Sequence, residues 1–167
     1  MALKPLLAKS SATSVNVTVN AAFLREIKEV HEELWVGLEE LRMLCGRPIS
    51  LRSQTTELVR RLSDLLDKLA LHFTLEEAFG YFDDPVYVSA AFSRRVDDLR
   101  NQHRVLYAKL CRIVDESDAM LRRRKLAALT TIVPIQFERF ARELLAHEEA
   151  EMELTQDGWC DDLGVGD

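Results

Sequence analysis

Twice in this chain a histidine is followed four residues later by a glutamate, His72 with Glu76 and His147 with Glu151. On an α-helix that spacing sets both side chains one turn apart on one face, able to reach a common point. Only two other histidines occur, His31 and His103, and their i+4 neighbours are aromatic, Trp35 and Tyr107. The order is therefore His-x3-aromatic, His-x3-Glu, His-x3-aromatic, His-x3-Glu. Neutral imidazole nitrogens and ionised carboxylates are together what a divalent metal binds. The candidate ligands are His31, His72, Glu76, His103, His147 and Glu151.

Each histidine lies inside a long segment of helical periodicity. Asn20 is a plausible N-cap for a helix over 21–45, whose apolar stripe includes Phe23, Ile27, Leu34, Leu38 and Leu41 and which Gly46-Arg47-Pro48 ends. A second helix runs from about Ser53 to Tyr81, with Leu58, Leu62, Leu65 and Leu69 leading into His72 and Glu76. Asp83-Asp84-Pro85 forms a turn. The third helix starts near Ser89, carries Val96, Leu99, His103, Leu106, Leu110 and Ile113, and frays at Asp115-Glu116-Ser117-Asp118. The fourth fills most of 119–155 and is expected to kink or break near Pro134, which lacks the N–H that a helix interior uses.

Four long helices with short connections predict an all-α protein, an up-down-up-down four-helix bundle. Residues 1–19, rich in Ser, Thr and Val, read as an extended or mobile arm, 20–155 as the bundle, and 156–167 as an irregular tail. In such a bundle a rise of ~1.5 Å per residue brings all six candidate ligands within about three turns of one another. His31 and His72 are 41 residues apart and His103 and His147 are 44 apart. The two helical hairpins thus look like copies related by a pseudo-twofold through the site.

Composition narrows the function classes. The 167 residues are enough for one domain with its own core. A net charge of −6, from 28 acidic and 22 basic residues, argues against nucleic acid as a partner. No apolar run approaches the ~20 residues that span a bilayer, so no membrane role is expected. The opening, Met1 to Lys9, is too short for a signal-peptide core of ~7–15 apolar residues. Three distant cysteines, Cys45, Cys111 and Cys160, do not suit a disulfide framework. A cytoplasmic protein is the expectation.

A lone histidine on an apolar stripe is ordinarily a core residue with satisfied nitrogens. Four together with two carboxylates are different. Burying them without a cation would leave several polar groups unpaired, at ~1–3 kcal/mol each. A phenol or indole N–H at Tyr107 or Trp35 would be placed to hydrogen-bond a small ligand at the metal. The chemistry also leaves manganese or zinc open in place of iron.

Single His, His-x3-Glu, single His, His-x3-Glu on successive helices resembles the hemerythrin-like HHE cation-binding domain, over roughly residues 20–155. The steps of 31 residues from His72 to His103 and 44 to His147 are most similar to the di-iron domain of bacterial iron-sulfur-repair proteins. The resemblance implies two iron ions with an oxo or hydroxo bridge, Glu76 and Glu151 bridging, His31 and His72 on one iron, and His103 and His147 on the other. It implies binding or sensing of dioxygen, nitric oxide or peroxide, with oxidase- or peroxidase-like turnover open. Oxygen-carrying hemerythrins have a further histidine where this chain has Tyr107, which counts against simple reversible oxygen carriage. The repair proteins also have an N-terminal cysteine-bearing domain to which nothing in 1–19 corresponds. Two alternatives stand beside this reading: storage or donation of iron, and a helical interaction module with a structural metal or none.

Overall fold

A computed structural model of the protein describes residues 21–79 and 90–162, with side chains for 28–47, 51–78 and 92–156. The expected N-terminal arm and the turn at Asp83-Asp84-Pro85 lie outside the described residues, as do the side chains of Phe23, Ile27, Phe79 and Cys160. Among those described the chain is all-helical: α1 Ala21–Cys45, α2 Pro48–Ser53, α3 Thr55–Phe79, α4 Ala90–Arg122 and α5 Leu126–Asp162.

The apolar stripes that make these helices also make the core. α3 buries Leu58, Leu62, Leu65 and Leu69, spaced alternately by three and four. α1 contributes Leu34, Leu38 and Leu41, and α5 contributes Leu129, Val133, Phe137, Phe140 and Leu144. Each such side chain gains ~1.5–3 kcal/mol on leaving water. Cross-helix pairs define the directions. Glu40 meets Arg61 and Glu33 meets Lys68, so α1 and α3 run antiparallel. Lys109 meets Glu143 and Gln136 donates to Glu116, so α4 and α5 do too. Arg42 pairs with Glu138 at 3.0 Å and brings α1 against α5. α3 packs on α4, which closes the circuit.

Several local expectations are corrected. Residues 48–53 are a short helix rather than plain connection, opened by Pro48 in its first turn, where a missing N–H costs nothing. α4 does not fray at 115–118. Ser117 faces the core and its hydroxyl bonds the Ile113 carbonyl, Glu116 accepts from Gln136, and Asp118 pairs with Arg122. Those polar side chains are therefore satisfied, Ser117 and Asp118 within α4 and Glu116 from α5, instead of competing with the helix. The fourth helix starts at Leu126; of the kink or break expected near Pro134, the break is ruled out because one helix runs through it, and the segment 156–162, expected to be irregular, is helical.

α4 ends in a Schellman-type turn. Lys125 N–H bonds Met120 C=O, Arg124 N–H bonds Leu121 C=O, and Arg124 takes the left-handed φ of 52°. A side chain is disfavoured there, so Arg124→Gly should raise stability by ~0.5–1 kcal/mol. Urea unfolding would show it as a higher midpoint at unchanged slope.

Candidate metal centre

The stripes that bury leucines also carry the histidines. In α3 the series 58, 62, 65, 69 continues to His72 and Glu76. In α4 the series Val96, Leu99 leads to His103 and on to Leu106. In α5 the series Phe140, Leu144 leads to His147, Glu151 and Leu154. The ligand candidates thus occupy core positions by helical register, and His72, His103 and His147 are buried. An apolar cluster of Val96, Leu99 and Leu154, with Phe92 and Ala150, lies beyond them on the α4–α5 side. The polar layer is therefore bounded by apolar side chains on both sides along these two helices.

All six sequence candidates fall in this layer, in two groups whose donor atoms lie within 4.8 Å of one another: Glu76, His103, His147 and Glu151, and His31, His72 and Glu148. Such buried His/Glu groups could hold a metal ion. Glu76 joins the two. Its Oε1 is 2.9 Å from His72 Nε2, and its Oε2 is 3.6 Å from His103 Nε2. Glu151 lies with the four-residue group, its Oε1 at 3.1 Å from His103 Nε2 and 3.3 Å from His147 Nε2.

Protons alone do not satisfy this layer. His72 Nε2 has carboxylate oxygens of Glu76 and Glu148 each at 2.9 Å, yet a single N–H can be directed at only one. His147 Nε2 and Glu76 Oε2 are buried without a hydrogen-bond partner. The 3.3 Å approach of Glu151 to His147 lacks the alignment that a hydrogen bond needs. A cation at each group would serve several of these atoms at once. The outward nitrogens are held as ligating histidines require: His103 Nδ1 faces Glu77 Oε1 and His147 Nδ1 faces Gln102 Oε1, both at 3.1 Å. Such contacts fix the ring and leave Nε2 pointing inward.

Electrostatics agree with a clustered ionic site. Burial alone would lower the His72 pKa, but hydrogen bonds to Glu148 and Glu76 outweigh it and push it up to about 10. Burial likewise opposes protonation of His103, and Glu151 and Glu77 override it and raise the pKa. Glu151 is held down at about 2, since His103 and His147 outweigh its desolvation. Burial dominates at Glu76 and raises its pKa. Burial also lowers that of His31, the least enclosed of the four. A metal entering the His72 position has to displace the proton held there.

The aromatic i+4 partners divide. The Trp35 indole N–H donates to His31 Nε2 at 2.9 Å, so Trp35 does touch a ligand candidate. Tyr107 does not belong to the site. It is 40% exposed, and its phenol pairs with Cys111 one turn further on, which raises the phenol pKa. The reason is register: Leu106, not Tyr107, continues the buried stripe from His103.

Sequence reasoning missed Glu77 and Gln102, which face the outer nitrogens of His103 and His147, and above all Glu148. It follows His147 directly and so projects about 100° around α5 from it, off the i+4 pattern. The signal available was the run His147-Glu148-Glu149, two carboxylates beside a ligand candidate, with no periodicity to choose between them. No protein-family model, curated protein or solved structure matches the chain.

Proposed function

We propose that this protein is a hemerythrin-like four-helix bundle, with α1, α3, α4 and α5 running up-down-up-down, that holds two iron ions and binds or senses a small ligand. Dioxygen, nitric oxide and peroxide are the ligands the family resemblance implies. The observation that carries the reading is Glu76, whose two oxygens face the imidazoles of two different donor groups. Side chains of His31, His72, Glu76, His103, His147 and Glu151 would hold the metals, with Glu76 between them. Bound iron supplies ligand binding and electron transfer. The chain's own residues place two imidazoles on each side, orient His103 and His147 through Glu77 and Gln102, and exclude water with Leu99, Leu106, Leu144 and Leu154.

Mixed nitrogen and oxygen donors without cysteine favour iron, with manganese or zinc as the substitutes. The compartment proposed is the cytoplasm, with no nucleic acid or membrane partner. No helix among the described residues is long and apolar enough to cross a membrane. Anaerobic reconstitution with ferrous iron and elemental analysis should give two irons per chain. A plateau at one, or unchanged binding in a His72→Ala, His147→Ala double variant, refutes the reading.

Air should then oxidise the ferrous protein rapidly, and evacuation should not restore it, because no additional histidine stands at the third-helix position. A spectrum that reverses under vacuum would refute this. The resemblance of the 31- and 44-residue spacings to those of iron-sulfur-repair proteins makes iron donation the second reading. In that case a ferrous chelator strips the protein within minutes while it stays folded. A chain that takes up no iron, or zinc alone, is a structural interaction module.

A further inference from the structure

We infer that Glu148 is a seventh metal-ligating side chain, which completes the His31/His72 position and makes the two metal positions chemically unequal. The inference rests on the two-metal reading and adds a residue that neither the i+4 pattern nor the family resemblance assigns.

The four-residue group is self-sufficient. His103 and His147 supply two nitrogens, Glu151 one oxygen and Glu76 another. The first group is not. Glu151 Oε1 approaches His103 and His147, and its donor atom groups with theirs rather than with those of His31 and His72. Without a further donor, the first position would have two imidazoles and one shared oxygen of Glu76. Glu148 supplies what is missing. Its Oε1 lies 2.9 Å from His72 Nε2, its side chain is only 15% exposed, and its donor atom falls within 4.8 Å of those of His31 and His72. The three residues come from three helices, α1, α3 and α5, so they converge on a point from different directions as ligands to one ion must. Each position then has two imidazoles, one carboxylate of its own and one oxygen of Glu76.

The same feature breaks the pseudo-twofold. His72 corresponds to His147 in the two hairpins, so the residue after each should correspond as well. After His147 it is Glu148. After His72 it is Phe73, whose ring stacks on His103 at 4.1 Å and 10° and meets His147 edge-on at 5.7 Å. One position therefore has a carboxylate where the other has an apolar face. Three carboxylates around two divalent ions leave a formal charge one unit lower than two would. The additional negative charge sits at the His31/His72 side and favours the more highly charged ion there. The Phe73 side is the one that suits a small neutral ligand.

The test is an anaerobic ferrous titration of the full chain, read by calorimetry and elemental analysis, for wild type, Glu148→Gln and Glu148→Asp. Glu149→Gln, at the exposed neighbouring position, is the control. Wild type and control should bind two equivalents. Glu148→Gln should keep one at wild-type affinity and bind the other at least about tenfold more weakly, as expected for loss of a residue that sets metal affinity. Glu148→Asp keeps the charge but shortens the reach, and should weaken the same equivalent alone, which decides the matter if the Gln variant does not fold. Two unchanged equivalents in either folded variant overturn this inference and leave the two-metal reading intact. A wild type that binds no metal overturns the reading itself.

Discussion

Glu76→Gln should abolish the two-metal state, with iron content falling from two per chain to below one and the iron-dependent rise in melting temperature nearly lost. Among the described residues only this side chain faces both donor groups, with Oε1 at 2.9 Å from His72 Nε2 and Oε2 at 3.6 Å from His103 Nε2. The amide keeps the shape but loses the charge and one of the two acceptor oxygens. Each ion bound at about a hundredfold above its dissociation constant stabilises the folded chain by ~2.7 kcal/mol. At ~2–4 °C per kcal/mol, two ions should shift the wild-type midpoint by on the order of 10–20 °C. The metal-free variant should melt close to metal-free wild type. Burial already raises the pKa of this carboxyl, so a neutral group at that place costs little. Melting curves with and without ferrous iron, taken anaerobically beside elemental analysis, make the comparison. A variant that still takes two irons and keeps the full shift would remove Glu76 from the centre. The contrast with Glu148→Gln is diagnostic, because that change should cost one metal and this one both.

The fold class was legible because α1, α3, α4 and α5 each bury a stripe at three- and four-residue spacing. The ends were less legible. α4 runs past Asp115-Glu116-Ser117-Asp118 with Ser117 bonded to the Ile113 carbonyl, Asp118 paired with Arg122 and Glu116 accepting from Gln136, and a partner twenty residues away such as Gln136 cannot be read locally. The end of α5 matters for chemistry. With a helix ending near 155, Glu151 would sit in an unfavourable place for a carboxylate beside the C-terminal dipole. α5 runs to Asp162, eleven residues beyond, and the dipole effect fades within the last turn. Glu151 therefore faces no such penalty, and its retention needs no special account. The six ligand candidates were legible for a simpler reason: helical register alone decides which residues face a core. Glu148 and Gln102 were not. Their roles depend on how α5 is rotated against α1 and α4, which is a property of packing.

Packing also predicts that folding and metal binding can be separated. Phe137 is fully buried among the core residues of α5, its ring 6.4 Å from that of Phe140, and the adjacent Glu138 pairs with Arg42 of α1. Phe137→Ala should cost ~3–5 kcal/mol, the usual range for emptying a phenylalanine site in a close-packed interior. That is a large share of the ~5–15 kcal/mol by which domains are stable. The melting temperature should fall by roughly 6–20 °C. His147 lies ten residues further along α5, about 15 Å away at the helical rise. Changes more than ~7–10 Å apart that share no partner add within ~0.5 kcal/mol. The iron-induced shift should therefore be the same in Phe137→Ala as in wild type, with two irons still bound. In the double variant with Glu76→Gln, the two losses should sum. If Phe137→Ala instead lowers the iron content or shrinks the iron-induced shift, the leucine-rich half and the ionic layer are one cooperative unit, and metal affinity depends on packing as much as on ligands.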